Sequence, residues 1–153
     1  MNKIGFIGLG NMGFFMSKNL VENGFSVDGF DLSENALQKM KHTDVNISKT
    51  FEEVCKNKNF IITMLPNGNA VKSVWNDAIK FINNDTIMLD CSTIDINVAQ
   101  DLHEFCKNKN IESIDAPVSG GTIGAENGTL TFIVGGSKKI YAKVKPLFDI
   151  MGQ

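Results

Sequence analysis

The run Gly8-Leu9-Gly10-Asn11-Met12-Gly13 has the spacing G-x-G-x-x-G. Between a strand and a helix, that spacing suits a dinucleotide pyrophosphate. Gly8 permits the tight turn, and Gly10 lets backbone approach the phosphates with no Cβ in the way. Gly13 lets the helix lie close to the strand. The free N–H groups at the start of that helix then face the anion. Alone the spacing is a weak signal, because glycine-rich turns are common. It follows KIGFIG over 3–8, which reads as a strand, and opens 11–23, which reads as a helix.

A second requirement is an acid about 20 residues further on, at the end of the next strand. Asp31 closes FSVDGFD over 25–31. Its carboxylate can accept hydrogen bonds from adenosine ribose hydroxyls, and it repels a 2′-phosphate. Leu32 and Ser33 bring no cation, and the chain contains no Arg. NAD is therefore expected in preference to NADP. The competing reading of Asp31 is a solvated turn residue.

Two further groups have suitable chemistry. Ser92 and Thr93 follow the β-rich run 85–91, where their hydroxyls can face a nicotinamide; an ST-turn or a helix N-cap is the alternative. Ser119-Gly120-Gly121 follows Pro117 at a strand end. Exposed backbone N–H groups and one hydroxyl there can hold a carboxylate without Arg, and a plain glycine-rich turn is the alternative.

The elements that must position these residues alternate between strand and helix. Ser33 is expected to cap a helix over 33–41, and a short strand lies near 44–47. Thr50 caps a brief helix over 51–56. Residues 59–65 (NFIITML) form an apolar run suited to a strand buried on both faces, stopped by Pro66. A helix over 69–81, the strand 85–91, a helix over 95–107 and a strand over 111–118 follow. Residues 119–128 read as a loop, 129–134 as a strand, and a helix starts at Ser137. Such alternation predicts an α/β, Rossmann-type doubly wound, mostly parallel sheet with helices on both faces.

The 153 residues suit one domain. With 15 basic and 17 acidic residues the net charge is −2, which excludes a polybasic surface for nucleic acid or membrane. Cys55, Cys91 and Cys106 are odd in number and lack CxxC spacing, and His42 and His103 are isolated. No metal site and no disulfide framework is expected. The thiols and the glycine-broken start point to a reducing, cytoplasmic location, or to the mitochondrial matrix after removal of a presequence. No run is long and apolar enough to span a bilayer.

Four segments in order resemble the β-hydroxyacid dehydrogenase family: FIGLGNMGFFMSKNL (6–20), ITMLPNGNAV (62–71), LDCSTID (89–95) and DAPVSGGTIGAENGTLTFIVGG (115–136). The resemblance departs from the family pattern at Phe14-Phe15 and at Ile96, where Pro is common. It implies that Leu65 and Pro66 lie against the dinucleotide, although strand core suits Leu65 equally. It implies that Ser119, Gly120 and Gly121 form the substrate-binding loop. The activity implied is NAD-dependent oxidation of a small β-hydroxy acid, such as 3-hydroxyisobutyrate, to its semialdehyde. Residues 1–153 correspond to the dinucleotide-binding domain. The family's helical catalytic and dimerisation domain, with its general acid Lys, has no counterpart in this chain, so the chain alone is expected to be inactive. Lys138, Lys139, Lys143 and Lys145 do not match that Lys motif and read as solvated. A homo-oligomer is expected of the full-length enzyme. Without the helical domain, Phe148, Ile150 and Met151 are expected at the surface. The alternatives are a non-catalytic dinucleotide-binding or assembly module, and an NAD(P)-dependent semialdehyde or glyoxylate reductase of the same family.

Overall fold

Every residue of Phe60–Thr63 and of Ile87–Asp90 is buried, as two-sided cover by helices requires. In the computed structural model, which describes residues 2–152, these segments are β4 and β5 of a six-stranded sheet. The domain expected over 1–153 includes Met1 and Gln153, which lie outside the described residues. The other strands are β1 (Lys3–Ile7), β2 (Ser26–Phe30), β3 (Asn46–Ile47) and β6 (Glu112–Asp115). Their order is β3-β2-β1-β4-β5-β6, and all five pairings are parallel. The order reverses direction between β1 and β4, which opens a crevice beyond their carboxyl ends. The expected doubly wound sheet is thus present.

Alternate strand residues feed the two faces. Ile4, Phe6, Ile62, Leu89 and Ile114 pack with Met16 and Leu20 of α1 (Asn11–Glu22) and with Val144 and Leu147 of α7 (Lys138–Met151). Ile7, Ile61 and Met88 pack on the other face against α3 (Phe51–Cys55), α4 (Gly68–Ala78) and α5 (Ile96–Lys107). Each fully buried Ile or Leu contributes about 1.5–3 kcal/mol, so both faces are needed for a stable sheet. Ser33 and Thr50 cap α2 (Glu34–Met40) and α3 as expected, and Ser137 caps α7, each accepting a backbone N–H bond. At the amino ends of the strands Lys58 is buried. Its ammonium donates to the carbonyls of Glu53 and Lys56 and pairs with Asp28 at 2.7 Å.

Three expectations need correction. The glycine-rich stretch 119–128 is not a loop: Gly121–Asn127 form α6. Its helix propensity is poor, but Gly124 and Ala125 are buried, and Asn19 Nδ2 of α1 donates to the Ala125 carbonyl at 2.7 Å. Tertiary packing overrides propensity here. Residues 129–134 do not extend the parallel sheet. Only Thr131–Phe132 are strand (β8), paired antiparallel with β7 (Val118–Ser119), which leaves β6 to end at Asp115. Finally, Phe148 and Met151 are buried and Ile150 is half-buried. The Phe148 ring packs on Phe132 with centroids 4.5 Å apart, so the α7–β8 contact covers that ring.

Candidate functional site

Gly8 leaves β1 with φ +99°, and a Cβ there would lie 2.2 Å from the Met64 carbonyl oxygen. A Cβ on Gly13 would lie 1.8 Å from the Gly8 carbonyl oxygen. These two glycines are structural: they let α1 start directly above the β1–β4 boundary. Gly10 differs, since nothing lies within 4 Å of its absent Cβ. It is the N-cap of α1 and offers no side-chain acceptor to the first-turn amides of Asn11, Met12 and Gly13. The amino end of α1 is therefore open to an anion from outside.

Leu9 is buried, with its amide turned towards β2. There its N–H donates to Asp31 Oδ2 at 2.7 Å, while the Ser33 N–H donates to Asp31 Oδ1 at 2.7 Å. Asp31 is thus locked in one orientation beside the glycine loop, with unused lone pairs on both oxygens. Gly8, Gly10 and Asp31 open onto a cavity of about 580 Å³, walled by Phe51, Leu65, Pro66 and Val74 among others. Phe51 and Val74 were not identified from sequence. No local motif marks them; only the packing of α3 and α4 brings them to the crevice.

Ser92, expected on the nicotinamide side, is fully buried. Its Oγ accepts the Leu65 N–H at 2.8 Å and donates to Asp90 Oδ1 at 2.6 Å. Ser92 therefore holds the Leu65-Pro66 floor of the cavity in place from behind. Thr93 is exposed, and the N-cap of α5 is Asp95, not Ser92 or Thr93. Asp90 Oδ1 also accepts the Thr63 hydroxyl at 2.7 Å, and Trp75 Nε1 donates to Thr63 Oγ1 at 3.1 Å. Sequence reading missed this network because Thr63 sits inside an apolar run.

Ser119, Gly120 and Gly121 are exposed at the junction of β7 and α6. Gly120 (φ +131°) and Gly121 (φ +62°) use backbone conformations that other residues rarely adopt. Asp115, four residues before Ser119, is raised to about pKa 6 by burial and by the neighbouring Asp90 carboxylate. Asp90 is raised too, chiefly by burial. The thiols of Cys55, Cys91 and Cys106 are all buried and free. Among the described residues no group of three His, Cys, Asp or Glu converges to hold a metal ion, and no helix is long and apolar enough to cross a membrane.

Residues 3–153 match the family model described as the NAD binding domain of 6-phosphogluconate dehydrogenase. The mitochondrial 3-hydroxyisobutyrate dehydrogenase of Drosophila melanogaster is 40% identical over 151 residues, 98% of this chain and 47% of that protein. The NAD-dependent L-serine dehydrogenase of Pseudomonas aeruginosa is 36% identical over 156 residues, 100% of this chain and 52% of that protein. A solved structure of Mycobacterium tuberculosis 3-hydroxyisobutyrate dehydrogenase with L-serine superposes with a TM-score of 0.96 at 36% identity, covering 99% of this chain and 52% of that one. The chain spans about half the length of the curated relatives it matches.

Proposed function

We propose a function from the premise that this chain belongs to the family of the NAD binding domain of 6-phosphogluconate dehydrogenase: it binds NAD in the crevice between β1 and β4, as the cofactor-binding domain of a β-hydroxyacid dehydrogenase. The observation that carries this reading is the open space over Gly10, at an α1 amino end that has no capping side chain, beside an immobilised Asp31. The pyrophosphate is assigned to Gly10, Asn11, Met12 and Gly13, with Gly8 and Leu9 forming the turn. The adenosine ribose is assigned to Asp31, and the floor to Leu65 and Pro66. Thr93 is assigned to the nicotinamide side.

Ser119, Gly120 and Gly121 are assigned to the carboxylate of a small β-hydroxy acid. NAD, when bound, supplies the hydride acceptor. This chain's residues bind and orient the two reactants, which is where much of a bimolecular barrier is lowered. The proton from the hydroxyl needs a base. Lys139 and Lys143 pair with Glu112, and Lys145 with Asp149. By the resemblance we assign the base to a Lys of a helical domain, and residues 1–153 to the dinucleotide-binding domain. The name of the Drosophila relative supports a 3-hydroxyisobutyrate-like substrate, and that of the Pseudomonas relative supports L-serine. Both are β-hydroxy acids.

Calorimetric titration of the chain with NAD and with NADP tests this reading. NAD is expected to bind and NADP to bind more weakly. Tighter NADP binding would overturn the assignment of Asp31, and binding of neither would overturn the proposal.

A further inference from the structure

Asp90 ends β5 and Asp115 ends β6, and they are register partners in adjacent parallel strands. Register partners project from the same face, so the two carboxyl groups are neighbours. Asp90 is 2% exposed. Among the described residues two buried side-chain polar atoms lack a hydrogen-bond partner, Asp90 Oδ2 and Asp115 Oδ1. Both belong to this pair. A buried oxygen without a partner is costly, and two adjacent carboxylates cannot both stay ionised cheaply. A proton held between them would give both oxygens a partner at once.

We infer that Asp90 and Asp115 share one proton and act together as the positioning pair that fixes the cofactor floor relative to the substrate loop. The donor is Asp115 and the acceptor Asp90. Asp90 Oδ1 already accepts from Thr63 Oγ1, Ser92 Oγ and the Ser92 N–H, which favour its charged form. One arm of the pair runs through Ser92 to the Leu65 N–H at the floor of the crevice. The other runs along the chain from Asp115 to Ser119, with the Ala116 N–H donating to the Asp90 carbonyl at 2.8 Å. The pair also lines a separate cavity of about 440 Å³ with Trp75, His103 and Ser113. The titratable group facing the pair is His103 on α5, while Cys91, next to Asp90 in sequence, packs into the core of the opposite face. Cys91 is held neutral by burial. His103 Nδ1 lies 3.0 Å from Ser113 Oγ.

Folding raises the affinity of the pair for its proton, so stability falls as pH rises from the ordinary carboxylate range towards about 6, and the cost is complete above that. The positioning role rests on the function proposed above, whereas the sharing of the proton does not.

Carboxyl and amide NMR of the 153-residue chain from pH 4 to 9 tests the inference. The Asp90 and Asp115 carboxyl signals are expected to move together through one transition near pH 6. The Leu65 and Ser119 amide signals are expected to follow with the same midpoint. In Asp115→Asn, whose amide donates permanently, the Asp90, Leu65 and Ser119 signals should stay flat across that range. Two independent transitions below pH 5 would overturn the shared proton. Leu65 and Ser119 amides that ignore the transition would overturn the positioning role. If the variant does not fold, the wild-type titration still decides both points. Failure of NAD to bind at any pH would count against the proposed function and leave these NMR outcomes to be read independently.

Discussion

The carboxylate of Asp31 accepts the Leu9 amide hydrogen at 2.7 Å, which ties the end of β2 to the middle of the glycine loop. The acid therefore shapes the loop as well as facing the cavity. Asp31→Ala is expected to weaken NAD binding by roughly 10–100-fold, the loss of one or two charge-assisted bonds. It should weaken NADP binding less, because a repulsive charge leaves as well. Calorimetry with both cofactors reads the ratio, and an unchanged ratio would show that Asp31 does not discriminate.

Gly10 and Gly13 should separate binding from folding. A methyl group on Gly10 meets nothing, so Gly10→Ala should melt within a degree or two of the parent and still lose most NAD affinity. A methyl group on Gly13 collides with the Gly8 carbonyl, so Gly13→Ala should destabilise the whole chain by about 1–3 kcal/mol. Thermal melts beside cofactor titration distinguish the two. A Gly10→Ala protein that binds NAD normally would place the phosphates elsewhere.

Ser92→Ala removes the acceptor for the Leu65 amide and one donor to Asp90. Because Ser92 itself is fully buried, the cost is expected at about 1–3 kcal/mol in urea unfolding. Affinity for NAD should fall as well, through the loosened floor at Leu65 and Pro66. A variant as stable as the parent would mean that this bond contributes nothing measurable.

The three thiols should be silent in the native state. Burial pushes Cys55 up to about pKa 12 and Cys106 to about 11. Cys91 is raised as well, by burial and by the carboxylates of Asp90 and Asp115. Since the thiolate is the reactive form, a thiol reagent at pH 8 should label none of them until denaturant is added. Rapid labelling of any one in native buffer would contradict its burial.

The features of this chain differ in how far local sequence reveals them. The glycine loop and Asp31 were legible because their chemistry is local: spacing alone sets the turn, the open helix end and the acid at the next strand end. The alternation of strand and helix was legible for the same reason. Helix α6 was not, since its residues favour a loop until Asn19 and α1 meet it. The role of Ser92 and the pairing of Asp90 with Asp115 were hidden for another reason. Both depend on the register of β5 against its neighbours, and a single-strand pattern does not carry register.

The position of the crevice between β1 and β4 also bears on kinetics. These neighbours in the sheet are separated along the chain by α1, β2, α2, β3 and α3. Their pairing needs the closure of a long loop, whose entropy cost is met before any contact across the boundary forms. A ligand held at that boundary meets only chains that have already closed it. Bound cofactor should therefore lengthen the lifetime of the native state and leave the rate of refolding where it was.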